Sequence, residues 1–532
     1  MKGPKTYCVL ILLVALVALA LRLPHLAHRP MHSDEAVNAV KFGQLLEERF
    51  YRYDPHEYHG PTLNYFTLIP TWLTSAQKLS EIGEFTLRIV PVLFGILLVL
   101  MPLLLADGLS KPVVILAAAF TAVSPAMVFY SRYYIHEMLL VCFTFGAIVS
   151  ACRYTLSKNI GWVVLTGLFL GLMHATKETC IIAFASMLLA FLLTSVIRRQ
   201  QEATWNIKKE IIPVHIIAAV ASAVIISVLF YSSFFTNPTG VLDSFRAYST
   251  YFSRAGRDVS HVHPSYYYLK MLIYSKYAPG PVFSEALIII LAAIGFVVAM
   301  TKKSSHTANS HLLRFIAFYT LITAAIYSVI PYKTPWCMLT FLYGMILLAA
   351  IGAVKLIKLQ PNLLTRTIIG LMLVAASVHL TWQAYSANYK FFADPRNPYV
   401  YAHSTTDVFN IARRVEQMAR AHPDGRGMHI QVICPYNDYW PLPWYLRSFT
   451  NVGWYDKVDD NAPVAPLIII SPAVESAISG RLYELPGKKN LYVPVFGKYT
   501  QLRPHLEVRA FVTKDLWDSF QVMKDDSASS RN

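Results

Sequence analysis

Charge is scarce in this chain: Asp, Glu, Lys and Arg make up 15% of its 532 residues, against 55% hydrophobic residues. A soluble domain carries about 25% charge, and the apolar residues here come in uninterrupted blocks rather than at amphipathic spacing. Lipid is therefore the solvent of most of the chain, which reads as an integral membrane protein. Paired cysteines are lacking too. The six present, Cys8, Cys142, Cys152, Cys180, Cys337 and Cys434, are scattered, mostly within apolar blocks, which excludes a disulfide framework and a zinc ribbon. There is no Gly-rich phosphate loop ending in Gly-Lys-Ser/Thr, no His-Glu-x-x-His and no internal repeat, so a P-loop enzyme is excluded. The net charge of +16 would suit nucleic acid, but much of it lies in short loops between apolar blocks. Membrane orientation explains it better, and no nucleic-acid partner is expected.

Eleven candidate spans follow from the apolar runs, at 7–27, 86–106, 112–130, 134–152, 160–176, 179–197, 212–234, 283–301, 312–331, 336–355 and 366–386. A cleaved signal peptide competes for the short, Ala-rich first run, but a polytopic chain needs that helix to fix its orientation. With the N-terminus cytoplasmic, the loops that must also be cytoplasmic hold Lys111, Arg153 with Lys158, Arg198-Arg199 with Lys208-Lys209, Lys302-Lys303, and Lys355 with Lys358. Each is basic, as the positive-inside rule requires. Counting the apolar stretch 61–80 as a span would invert every later loop, so it reads as an interfacial or re-entrant helix. The expected fold is an α-helical polytopic membrane domain over 1–387, with a first exterior loop at 28–85. An extracytoplasmic α/β domain follows over 388–532, with strands at 428–433, 466–470 and 491–496, a helix over 404–420 and a disordered tail from Lys524. The expected location is the cell (inner or plasma) membrane.

Polar residues with chemistry collect on the face assigned to the exterior. His32-Ser33-Asp34-Glu35-Ala36 follows the first span, and two adjacent acids stand there at a helix start. Acids in a first turn complement the helix dipole, with Ser33 a natural cap. Capping alone leaves the pairing of the acids beside His32 unexplained, so catalysis by at least one of them is expected. Next comes Tyr53-Asp54-Pro55-His56-Glu57-Tyr58-His59-Gly60-Pro61, where prolines and glycine force turns around titratable groups. His56, Glu57 and His59 are candidate ligands for a divalent metal together with Asp34 or Glu35. The competing reading, that these histidines bind substrate hydroxyls or sit hydrogen-bonded at the surface, carries more weight. Tyr53 has the same ambiguity between interface anchor and sugar platform.

Cations face that acidic loop. Arg132 precedes His136-Glu137, His174 precedes Lys177-Glu178, and Lys333 lies in Tyr332-Lys333-Thr334-Pro335-Trp336. Snorkelling explains any one of them; three at one level suggest a phosphate or diphosphate site. A sugar carried on a polyprenyl phosphate already has its leaving group. Transfer then needs one carboxylate to accept the acceptor's proton and cations for the departing phosphate, with no general acid. The segment 243–277, with Arg246, Arg254, Arg257, His261, His263 and Tyr266 to Tyr268, reads as a mobile loop over such a cavity. The aromatic stretch Asp438 to Arg447 serves equally well as packing or as a carbohydrate surface.

These motifs resemble those of the GT-C glycosyltransferases, which include the protein O-mannosyltransferases and the aminoarabinose transferases of lipid A. The likeness rests on Met31 to Ala36, Tyr53-Asp54-Pro55 with His59-Gly60-Pro61, Glu84-Phe85-Thr86-Leu87-Arg88-Ile89-Val90-Pro91, Tyr332 to Trp336 and Asp438 to Arg447. Within that group the chain most resembles the flippase-activity-associated protein family of bacteria and archaea. The resemblance implies a membrane hexosyl- or pentosyltransferase with Asp34 in the position of the catalytic acid and Glu35 beside it. It also implies a polyprenyl-phosphate sugar donor bound in a cavity open to the exterior, and a protein, glycan or lipid acceptor. The alternative is a flippase-associated or noncatalytic subunit of a glycan or lipid assembly system.

Overall fold

In a computed structural model of the protein, residues 4–56, 59–202, 205, 212–257, 261–301, 309–459, 461–463, 465–479, 482, 491–497 and 500–529 are described. Glu57, Lys208, Lys209, Lys302 and Lys303 lie outside these residues, as do the side chains of Arg254 and Arg257. All eleven apolar runs form helices. Eight are long and apolar enough to cross a membrane: Lys5–Arg22, Glu84–Leu105, Glu137–Ser157, Cys180–Gln201, Pro213–Tyr231, Ser310–Val329, Pro335–Lys358 and Leu363–Lys390. A ninth is broken, Lys111–Val123 and Pro125–Ser131 meeting at 61°. Pro125 has no N–H to continue the first helix, and the Glu285 carboxylate accepts from Ser124 Oγ at 2.7 Å and from the Ala126 N–H at 2.9 Å, satisfying the new N-terminus. The remaining two, Ile160–His174 and Ala286–Met300, have 15 residues each, about 22 Å of helix, short of a hydrocarbon core of about 30 Å. The expected count of eleven is thus eight full-length helices, one bent pair and two short ones. Thr62–Thr74 is likewise only 13 residues long, too short to span.

Burial separates the helices. Pro335–Lys358 is almost wholly buried, whereas Pro213–Tyr231 and Leu363–Lys390 expose Ile217, Val220, Val224, Leu371, Val374 and Val378. Exposed rows of that kind, without charges, suit lipid contact. The helices 286–300 and 339–358 approach backbone to backbone. A Cβ on Gly295 would overlap the Leu348 carbonyl oxygen, and one on Gly352 would overlap that of Leu291, so both positions require glycine.

The chain forms two compact units. Met1–Leu26, Gln44–Ser75 and Gly83–Tyr401 make one; Ala27–Gly43, Ala76–Ile82 and Ala402–Asn532 make the other. The division falls after Tyr401 rather than after residue 387. The stretch that follows the last membrane helix is held in the first unit, Tyr399 donating to Glu285 at 3.4 Å and its carbonyl accepting from Tyr130 at 3.0 Å.

Among the described residues the second unit has six strands, β1 (Ile430–Ile433), β2 (Val452–Tyr455), β3 (Leu467–Ile470), β4 (Tyr492–Pro494), β5 (Thr500–Arg503) and β6 (Leu506–Thr513). Their order is β2-β1-β3-β6-β4, with β5 paired to β6. β1 runs parallel to both β2 and β3, while β6 is antiparallel to β3 and β4. Helix Asp407–Ala421 is amphipathic: Val408, Ile411, Val415 and Met418 join Ile430, Val432, Leu467 and Val512 in one core. Each such side chain contributes about 1.5 to 3 kcal/mol on burial. Two expectations need correction. The tail is helical as far as Ser529, as part of Lys514–Ser529, because Leu516 and Phe520 anchor it to the same core. The expected mobile loop at 243–277 is largely two helices, Thr239–Arg257 and Tyr267–Ile273.

Candidate functional site

In the unit that contains the sheet, helix Ser33–Glu48 begins at the acidic pair. His32, not Ser33, takes the capping position: its Nδ1 accepts the Asp34 N–H at 3.0 Å. Glu35 returns the favour, Oε2 accepting the His32 N–H at 3.1 Å, a reciprocal cap of the kind that closes helix N-termini. Glu35 is fully buried and its other oxygen faces Arg29 at 3.5 Å. Asp34 has a different environment. Its side chain is 51% exposed, with the His32 ring 3.7 Å away. The loop before it is pinned on two sides, Met31 N–H donating to Tyr445 Oη at 2.9 Å and Ser404 Oγ donating to the Met31 carbonyl at 2.7 Å. His403 meets the His32 ring edge-on at 5.0 Å. Asp34 is thus a solvent-facing carboxylate on a rigid support. Arg29, His403, Ser404 and Tyr445 were not legible as parts of this site, being either unremarkable locally or about 400 residues away in sequence.

The aromatic stretch at 438–447 is mainly a packing element in this unit. Trp444 is fully buried, Arg447 lies 3.7 Å over its ring and donates to the Ile82 carbonyl at 2.8 Å, and Asp438 is ion-paired with Arg503.

In the other unit, the turn-rich loop meets two helix junctions. His59 Nδ1 lies 2.8 Å from Glu178 Oε2, and Tyr53 Oη donates to Glu178 Oε1 at 3.0 Å. The Gly60 carbonyl lies 3.0 Å from His136 Nε2, and its N–H donates to the Thr176 carbonyl at 3.1 Å. Lys177 is ion-paired with Glu137, both nearly buried. Six of the expected residues, Tyr53, His59, His136, Glu137, Lys177 and Glu178, therefore form one polar cluster. His174 stands beside it, its ring on Ser227 Oγ at 2.6 Å and near Tyr231 and Tyr248. Burial pushes the Glu178 carboxyl up, but His59 and Lys177 outweigh it and hold its pKa below the usual value. Burial, then His59 and Lys177, push the His136 imidazole well below its usual pKa. Among the described residues its Nδ1 is buried without a partner.

The three expected phosphate cations have different partners. Arg132 donates to the carbonyls of Leu21 and Arg22 at 3.4 and 2.8 Å and to Tyr389 Oη at 2.9 Å, at the negative end of the first helix. Lys333, buried, donates its ammonium to the carbonyls of His263 at 3.1 Å and of Ile330. Lys177 is neutralised by Glu137. No partner is common to the three in these contacts. Trp336 packs among Tyr130, Tyr133 and Tyr401, with centroids 6.2, 5.8 and 6.0 Å away. Of the metal candidates, His56 turns to Thr250 at 3.4 Å and its N–H donates to Asp54, whereas His59 turns to Glu178. Among the described residues no three His, Cys, Asp or Glu side chains converge as a metal site.

Residues 62–238 match the family described as dolichyl-phosphate-mannose-protein mannosyltransferase. No curated protein sequence matches. Among solved structures, ArnT from Cupriavidus metallidurans bound to undecaprenyl phosphate superposes with a TM-score of 0.64 at 15% identity, over 96% of this chain and 98% of that one. The oligosaccharyltransferase AglB from Archaeoglobus fulgidus, in complex with an inhibitory peptide and a dolichol-phosphate, gives 0.52 at 12% identity, over 90% of this chain and 70% of that one. The chain is a multi-pass membrane protein with the fold of the GT-C glycosyltransferases, extended by a C-terminal sheet domain.

Proposed function

We propose that this protein is a membrane glycosyltransferase that moves a hexosyl or pentosyl unit from a polyprenyl-phosphate donor to an acceptor on the extracytoplasmic face. The observation that carries the reading is the contrast at the first loop: Glu35 is spent on Arg29 and the helix cap, leaving Asp34 half-exposed on a fixed support. That arrangement occurs in a chain whose fold matches a protein bound to undecaprenyl phosphate. Asp34 accepts the proton of the attacking acceptor group. The anomeric carbon forms its new bond to the acceptor, the bond to the phosphate oxygen breaks, and polyprenyl phosphate leaves as an anion. The basic loops support a cytoplasmic N-terminus and an exterior sheet domain.

The test is the purified protein in lipid vesicles loaded with a polyprenyl-phosphate sugar, with release of polyprenyl phosphate as the readout. The surface glycans of cells lacking the protein are compared with those of cells carrying Asp34→Asn. Both cell types should lose the same glycan component. An intact glycan in Asp34→Asn cells, lost only on deletion, would favour the noncatalytic assembly subunit.

A further inference from the structure

His32 occupies a helix cap, yet histidine is not among the residues that cap well. Serine, threonine, aspartate and asparagine serve that position best, and Ser33 is next in the chain. Helix Ser33–Glu48 nevertheless starts from the imidazole, whose Nδ1 accepts the Asp34 N–H at 3.0 Å. A ring nitrogen that accepts an N–H carries no proton, which puts the ring hydrogen on Nε2. The ring is buried and meets His403 edge-on at 5.0 Å, and the His32 backbone N–H is held by Glu35 Oε2 at 3.1 Å. It therefore has little freedom to turn. The same nitrogen lies 3.7 Å from Asp34 Oδ1, while the Asp34 side chain is 51% exposed. A serine cap would tie the Asp34 amide and leave its carboxylate free to change rotamer. A cation in that place would pair with the carboxylate, as Arg29 does with Glu35, and compete with a substrate proton. The imidazole, capping through a lone pair, ties the amide and stands against the carboxylate without offering it a proton.

We infer that His32 is a positioning residue for Asp34: its ring holds the carboxylate in the orientation that takes the acceptor's proton, and it does not itself contact substrate. The inference rests on the glycosyltransferase reading. Misplacing a reacting group by about 1 Å can cost about a hundred-fold in rate, so the role belongs in kcat rather than in binding.

Full-length wild type, His32→Asn and Asp34→Asn are reconstituted into membranes of cells that lack the protein, which supply the acceptor. Undecaprenyl-phosphate glucose and undecaprenyl-phosphate arabinose are the hexosyl and pentosyl donor probes. Release of undecaprenyl phosphate is followed as donor concentration is varied, below the melting temperature of every variant. Asparagine is a favoured cap, so His32→Asn can still accept the Asp34 N–H; what it lacks is the ring. It should lower kcat by about ten- to a hundred-fold and leave the donor KM unchanged. His32→Gln is measured beside it, with the same split expected, so that a folding defect in one variant does not decide the result. A cap and nothing more predicts wild-type kcat in His32→Asn, and a substrate contact predicts a raised KM at unchanged kcat. Either result, with Asp34→Asn inactive, overturns the inference and leaves the transfer reading standing. No release by the wild type from either donor fails earlier, at transfer itself, and removes the role together with the reaction. Nitrogen-15 NMR of histidine-labelled protein reads the geometry without turnover. The signal that disappears in His32→Asn should show an unprotonated Nδ1 in both the wild type and Asp34→Asn; a protonated Nδ1 overturns the inference.

Discussion

Glu35 turns back on His32: its Oε2 accepts the backbone N–H three residues earlier at 3.1 Å, while Oε1 faces the buried Arg29 at 3.5 Å. Two acids adjacent in sequence therefore have separate duties. Asp34→Asn should preserve the fold and lower transfer by about two to four orders of magnitude, the usual contribution of a positioned base. Glu35→Ala should do the reverse in kind. It leaves Arg29 buried without its carboxylate, at a cost of about 3 to 5 kcal/mol, visible as a fall in melting temperature and in yield of folded protein. Should Asp34→Asn unfold the protein while Glu35→Ala stays stable and inactive, the two assignments are exchanged.

The Lys177–Glu137 pair is nearly buried on both sides, so its energetics depend on which partner is removed. Glu137→Gln removes the paired carboxylate and leaves the buried Lys177 ammonium only Glu178 to offset it, which should cost up to about 3 to 5 kcal/mol. Lys177→Met with Glu137→Gln removes both charges at similar volume and should cost much less than the two single losses added together. Chemical or thermal unfolding of the wild type, Lys177→Met, Glu137→Gln and the double variant in one detergent measures the coupling directly. Additive losses would mean that the charges do not sense one another.

His59 holds the Glu178 carboxyl below its usual pKa against the opposing effect of burial. A carboxylate with a depressed folded pKa binds fewer protons folded than unfolded, so its contribution is present above the ordinary value of 4.5 and is lost as pH falls through the folded value. His59→Gln can retain a hydrogen bond to Glu178 but removes the imidazole. It should destabilise the protein at neutral pH by roughly 1 to 2 kcal/mol and flatten the acid-side decline in melting temperature. A decline of undiminished steepness in the variant would place the titrating group elsewhere.

Much of the architecture is legible in the sequence because lipid imposes long apolar runs. The strands around Ile430, Leu467 and Tyr492 are legible too, being short, β-branched and bounded by turns. β2 is missed because it is only four residues long, Gly453 among them, and all four are of intermediate burial, so no alternation shows; β6 is missed although Leu506, Val508 and Ala510 alternate with Glu507 and Arg509. The candidate sites are legible as an inventory rather than as a geometry. Nothing local to His59 names Glu178, 119 positions later, and nothing in Arg132 itself names the helix-end carbonyls and the tyrosine that it meets. Polarity says which residues need partners; only the packing says which partners they have.

Gly60 gives the most direct test of how the turn-rich loop is seated. Its N–H donates to the Thr176 carbonyl at 3.1 Å, its own carbonyl lies 3.0 Å from His136 Nε2, and a Cβ built on it would overlap the Ala175 carbonyl oxygen. That oxygen is backbone and accepts the Thr62 N–H at 3.2 Å, so it cannot move aside without breaking a second contact. Gly60→Ala should therefore shift the loop as a body, costing about 1 to 3 kcal/mol as overpacking does, and should disturb the Tyr53 and His59 contacts with Glu178 together. Gly83→Ala is the control, since a Cβ there meets nothing within 4 Å. The expected pattern is a lower melting temperature and greater proteolytic nicking near residue 58 in Gly60→Ala, with Gly83→Ala unchanged on both measures. Wild-type behaviour in Gly60→Ala would show that the loop does not rest on the 175–178 junction, and the polar cluster around Glu178 would then lose its support.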